Sequence, residues 1–176
     1  MSNDLLHQLL EVRSLNILVL NGSLFSYMDI EPTLDFPNLI NLRLEGDITL
    51  LFSLLWEVQM PRLSSLTLRL GSKTGHGALL HQLALADWPE LSRLDLDLIK
   101  AGDSQWTLGK VESSVRLMLS TKETLRTVVG TAELEVMVKR WKRTIPSFLP
   151  RLDTIRVRDR LGLNERVDVF GAMNSA

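Results

Sequence analysis

The chain has 176 residues, a net charge of −1 from 20 Lys+Arg against 21 Asp+Glu, and no cysteine. With 45% hydrophobic residues and a mean hydropathy of +0.08 it can bury a core, which argues against a disordered chain. The missing cysteine excludes disulfides, thiol catalysis and cysteine-based zinc or iron–sulfur sites, and the near-zero charge argues against a protein that coats nucleic acid. Leucine stands out, at 37 residues, about twice its ordinary share.

In chain order, residues 1–14 come first. Leu5, Leu6, Leu9 and Leu10 behind Asn3-Asp4 have the pattern of an amphipathic helix with an acidic start. It fits either a cap or the tail of an earlier repeat. No cationic region precedes these leucines and His7, Gln8, Glu11 and Arg13 interrupt them, so nothing reads as a secretory signal. An intracellular location, cytoplasmic or nuclear, is expected. Leu15, Leu18 and Leu20 then form a first LxxLxL. Phe36-Pro37-Asn38-Leu39 leads into Leu42 and Leu44, and Met60-Pro61-Arg62-Leu63 into Leu66 and Leu68. Trp88-Pro89-Glu90-Leu91 leads into Leu94 and Leu96. Leu125 and Val128 form a weaker copy without proline, and Leu149-Pro150-Arg151-Leu152 leads into Ile155 and Val157.

Between these motifs the period changes. Leu50, Leu51, Leu54, Leu55 and Val58 stand at helical spacing, as do Leu79, Leu80, Leu83 and Ala84. Val111, Val115 and Met118 repeat it, and then Leu134, Val138 and Trp141. The most apolar stretch, Ile48 to Val58, is too short to span a bilayer, and no membrane association is expected. After Asp159 the pattern fades; Val167, Val169 and Phe170 fit a short closing strand that folds back.

The first leucines of the six motifs fall at 15, 39, 63, 91, 125 and 152, with spacings of 24, 24, 28, 34 and 27. Within a motif, Leu42 and Leu44 alternate with Asn41, Arg43 and Glu45, the period of a strand with one buried face. Proline, which cannot donate to a ladder, belongs at the strand's start, where it also stops any preceding helix. Strand, helix and strand repeated in one direction require parallel strands joined by crossovers, and each unit covers its apolar face only by stacking on the next. The fold class expected is therefore α/β: a solenoid of about six strand–helix units, with a parallel concave sheet and convex helices.

The pattern resembles leucine-rich repeats. Its lead-in of a large apolar residue, proline, a polar residue and leucine looks most like the repeat region of fungal F-box/leucine-rich-repeat proteins. The resemblance covers roughly residues 12 to 160. It implies one leucine-rich-repeat domain over 1–176, with repeats over 15–160 and a tail or partial cap over 161–176. It further implies substrate recognition for a ubiquitin ligase. An F-box needs several tens of residues ahead of the repeats, whereas the first motif begins at Leu15, so binding of the ligase adaptor is not expected of this chain. It reads as the carboxy-terminal part of a longer repeat protein, or a reduced relative of one. The asparagine or cysteine that usually follows LxxLxL by three residues is replaced by Ser23, Asp47, Gly71, Ile99 and Arg160. Stacking is thus expected to rely on leucine packing and the parallel sheet.

Candidate chemistry is sparse. Asp95-Leu96-Asp97 has the form of a metal-binding DxD, but alternation along the fourth motif already requires polar residues there. Gly71 to Gly77 looks like a phosphate loop, yet Ser72 and Thr67 stand where a Walker sequence needs glycine. His76 and His81 are five apart, which misses the zinc-pair geometry of a helix. No serine has a nucleophile elbow. No catalysis, metal or cofactor is expected. Lys139, Arg140, Lys142 and Arg143 surround Trp141; they read either as an anion-binding helix or as the solvated side of one. Trp88 occupies the pre-proline core slot, while Trp106 fits either partner contact or packing under its loop.

A ligand is expected on the concave face, at the residues between the inward leucines. Ile17, Val19 and Asn21 open this face, followed by Asn41, Arg43 and Glu45, then Ser65, Thr67 and Arg69. Arg93, Asp95 and Asp97 come next, then Thr127 and Val129, then Thr154, Arg156 and Arg158. Its candidate partner-binding residues are Asn41, Arg43, Glu45, Thr67, Arg69, Arg93, Asp95, Asp97, Arg156 and Arg158. Five arginines against three acids point to a protein or peptide ligand with an acidic segment. The same residues also fit plain solubilising choices on an exposed sheet. The alternative of another class is an anion- or nucleic-acid-binding module using these arginines with the basic helix 139–143. Nucleic acid is the less expected partner.

Overall fold

The computed structural model describes residues 16–21, 34–46, 58–70, 76–98, 111–158 and 165–169. The helix expected over 1–14, the helical run Leu50 to Leu55, Trp106 and the Gly71–Gly75 segment lie outside them. The strands are β1 (Ile17–Asn21), β2 (Leu34–Asp35), β3 (Asn41–Gly46), β4 (Val58–Gln59), β5 (Ser65–Leu70), β6 (Arg93–Leu98), β7 (Thr127–Gly130), β8 (Thr154–Arg158) and β9 (Glu165–Val169). Among the described residues three helices intervene: α1 (His76–Leu85), α2 (Glu112–Ser120) and α3 (Ala132–Thr144). The fold is α/β, built on one mostly parallel sheet.

That sheet has seven strands in the order β1-β3-β5-β6-β7-β8-β9. The first six run parallel, and β9 returns antiparallel on β8. Register follows the motif: Leu18, Leu42, Leu66, Leu94, Val128 and Ile155 stand side by side in one row. A slip of one residue would turn every inward leucine to the other face, so the pattern itself holds the register. Leu42, Leu44, Leu66, Leu68, Leu94 and Leu96 are buried on one side of the sheet, in a single cluster with Leu79, Leu80 and Leu83 of α1. Val115 and Met118 of α2 and Leu134, Val138 and Trp141 of α3 complete that cluster. The core thus lies between the leucine face of the sheet and the helices.

The proline lead-in has a defined geometry. The amides of Leu39, Leu63, Leu91 and Leu152 donate to the carbonyls of Phe36, Met60, Trp88 and Leu149, at 3.1 to 3.2 Å. Proline is therefore the second residue of a four-residue turn, the place its fixed φ suits. The apolar residue ahead of it is buried each time. After the turn, one carbonyl per unit accepts two amides of the next: Asn16 from Ile40 and Asn41, Ile40 from Ser64 and Ser65, Ser64 from Ser92 and Arg93. Ser92 and Arg126 continue the chain of bonds to Arg126 and Thr127, and to Asp153 and Thr154. Hydroxyls reinforce it, with Ser92 Oγ donating to the Ser64 carbonyl at 3.2 Å and Thr124 Oγ1 to that of Leu91 at 2.6 Å. Stacking therefore has a polar ladder at the strand starts, beyond the leucine packing expected from sequence. The substituted positions Ser23, Asp47, Gly71, Ile99 and Arg160 lie outside the described residues.

Two local departures have physical causes. Val58, counted with a helical stripe, instead belongs to β4, which pairs in parallel with β2 immediately ahead of the two prolyl turns. β7 is short because α3 starts at once: Thr131 caps it, its hydroxyl accepting from the Leu134 amide at 3.4 Å. Gly130 stands where the motif calls for a second inward leucine. A Cβ there would come within 2.5 Å of Leu134 Cδ2 and 3.2 Å of the Leu96 carbonyl oxygen, so Leu134 fills the place of the missing side chain.

Candidate binding face

On the side opposite the core, in-register residues form rows across the sheet. Asn41, Ser65, Arg93, Thr127 and Thr154 make one, all of intermediate exposure. The next holds Val19, Arg43, Thr67, Asp95, Val129 and Arg156. Glu45, Arg69 and Asp97 belong to the third, at whose far end lies Arg158. All ten candidate residues named from sequence therefore share one face.

Their charges are largely engaged with one another. Arg43 holds Glu45 through Nε at 2.8 Å and Nη2 at 2.5 Å, and Arg69 approaches the same carboxylate at 3.3 Å. Arg158 reaches across β7 to Asp95, two strands away, and lies 3.6 Å from Asp97. The Asp95 and Arg158 side chains are only 7% and 10% exposed, so this bridge is buried and close to the fully buried Val129. The DxD carboxylates are thus committed to an arginine, and among the described residues no cluster of three metal-ligating side chains forms. Arg93 carries no ion pair among the described residues. It stands between Ser65 and Thr127 in its row.

The basic helix is engaged in the same way. Lys139 binds Glu135 at 2.6 Å and Asp168 at 2.5 Å. The hydrogen bond to Asp168, then that to Glu135, raises the Lys139 pKa, and the same bond to Lys139 lowers that of Asp168. Glu112 accepts from both Arg140 and the Trp141 indole. Lys142 donates to the Leu149 carbonyl at 3.0 Å, and burial lowers its pKa. Of the four cations only Arg143 is without an ion pair or hydrogen bond among the described residues.

Two polar groups escaped the sequence reading. Lys122 occupies the slot that Phe36, Met60, Trp88 and Leu149 fill elsewhere, closing the same turn onto Leu125 without a proline. Its ammonium donates to the Ala86 carbonyl, just past the end of α1, and lies 5.1 Å from the centre of the Trp88 ring. Burial lowers its pKa to about 8, against a smaller opposing pull from Asp87. The missing proline of the fifth motif was the available signal. Glu135 is buried on α3 and ties Lys139 together with Arg166 of β9 at 2.6 Å. Only the topology shows why a buried carboxylate belongs there.

Among the described residues no helix is long and apolar enough to cross a membrane. Comparison with family models, with curated proteins and with solved structures returned no match.

Proposed function

We propose that this chain is a non-catalytic protein-interaction module, a leucine-rich-repeat solenoid whose concave sheet face docks a protein or peptide partner. The observation that carries the reading is the run of six parallel strands in which turn, carbonyl ladder and buried row recur unit after unit. Such stacking builds a continuous surface from small, individually unstable pieces. The fungal F-box resemblance adds the role: presenting a bound client to a ubiquitin ligase.

Internal pairing narrows where the partner sits. Glu45 balances arginines on β3 and β5, and Asp95 and Asp97 share Arg158. With Glu45, Asp95 and Asp97 so engaged, Arg93, which carries no ion pair among the described residues, is placed to meet a ligand, between Ser65 and Thr127 in its row. Partly exposed hydroxyls beside a guanidinium suit an acidic side chain, which they meet with directed donors. The test is capture of cellular partners by the wild type and by an Arg93→Glu variant, with circular dichroism confirming the fold. Reproducible clients lost from the variant support the reading; the same clients at undiminished yield overturn it.

A further inference from the structure

We infer that β9 pairs two copies of this chain, antiparallel, about a two-fold axis through Val167. β9 ends the sheet, with β8 its one neighbour among the described residues. Edge strands are ordinarily blunted by proline, bulges or charged side chains. Glu-Arg-Val-Asp-Val has no proline, glycine or lysine, and the charges it carries are of both signs, which a second copy can match. It shows instead two exposed valines on the face away from the core, in register with Arg156 and Thr154: Val167, 47% exposed, and Val169, 62% exposed. Arg166 and Asp168 project the other way, to Glu135 and Lys139 of α3.

The occupant follows from charge and register. About a two-fold axis at Val167, that residue meets itself, Arg166 meets Asp168 of the second copy, and Glu165 meets its Val169. Opposite charges directly across an antiparallel pair attract, whereas like charges repel. Parallel, in-register pairing would set Arg166 on Arg166 and Asp168 on Asp168. A one-residue antiparallel slip would set Glu165 on Asp168 and put the two helix layers on opposite faces of the joined sheet. Only the two-fold arrangement pairs the charges, keeps both helix layers on one side and joins the exposed valines into one apolar strip. With five residues per copy the contact is small, so the dimer forms at the upper end of concentration.

Sedimentation velocity on the full chain over about a hundredfold range of concentration tests this. The expected result is a rise from the one-chain mass of 19.9 kDa toward twice that value. Val167→Lys and Val167→Glu, changed at an exposed site, each stay at one chain because like charges meet on the axis. Mixed in equal amounts they recover the dimer. A wild type that stays at one chain or grows past two, single variants that associate like the wild type, or a mixture that stays monomeric each overturns the assignment.

Discussion

Lys122 shows how one atom type alters a repeat. The slot before each turn is apolar in the four prolyl units because it is buried, and an ammonium placed there loses hydration that one carbonyl and the face of an indole restore only in part. Its folded pKa of about 8 lies below the ordinary lysine value of 10.5. Below about 8 the group is charged both folded and unfolded, and the burial cost is present in full. Between the two values the unfolded chain holds the proton and the folded chain does not, so stability rises with pH across that window. Lys122→Met, which restores the apolar slot, is expected to stabilise the protein by about 1 kcal/mol at pH 7, after the lost hydrogen bond, and to abolish that rise. Urea unfolding at pH 7 and at pH 10 reads both effects. Gly130 makes the complementary case. Leu134 can turn aside from an added methyl but the Leu96 carbonyl cannot, so Gly130→Ala is expected to cost about 1–3 kcal/mol, measured in the same way.

Among the elements, those with a leucine or valine stripe were legible in sequence. Leu79, Leu80, Leu83 and Ala84 mark the buried side of α1, Val115 and Met118 that of α2, and Leu134, Val138 and Trp141 that of α3. β9 was legible as a returning strand through Val167 and Val169, but what fastens it was not. Its valines face outward, and its hold on α3 is ionic, through Glu135, Lys139, Arg166 and Asp168. Hydrophobic periodicity says nothing about such a clamp, because its partners lie 29 to 31 residues apart. Glu135→Gln withdraws the buried negative charge that both cations share. The expected outcome is faster amide exchange over 165–169, with the amides of β5 and β6 unchanged. Acid acts in the same direction. The lowered pKa of Asp168 contributes stability above the ordinary carboxylate range, lost as pH falls through the folded value. Hydrogen exchange across that fall should show β9 fraying before the central strands.

At the scale of the whole molecule, each parallel strand of the main sheet pairs, among the described residues, with that of the next unit. The motif spacing made this much readable: it carried the number, direction and register of the six parallel strands β1, β3, β5, β6, β7 and β8, but not the small β2–β4 pair. It also placed the polar rows on one face but could not show how their charges combine, because side-chain pairing across strands depends on reach, not periodicity. Arg158 illustrates this, lying 63 residues from Asp95 and spanning β7 to meet it. That bridge couples the centre of the sheet to its end, which backbone pairing does only through the four-residue β7. Breaking a buried pair leaves a charge without compensation, so Asp95→Leu or Arg158→Met alone is expected to cost about 3–5 kcal/mol, while the double variant recovers most of it. A double-mutant cycle in urea measures the coupling directly. If the bridge ties β6 to β8, the single variants also lose exchange protection in β7 and β8 while β3 and β5 keep theirs. A coupling near zero, or protection lost evenly along the sheet, would show that the arginine merely lies over the strands it crosses.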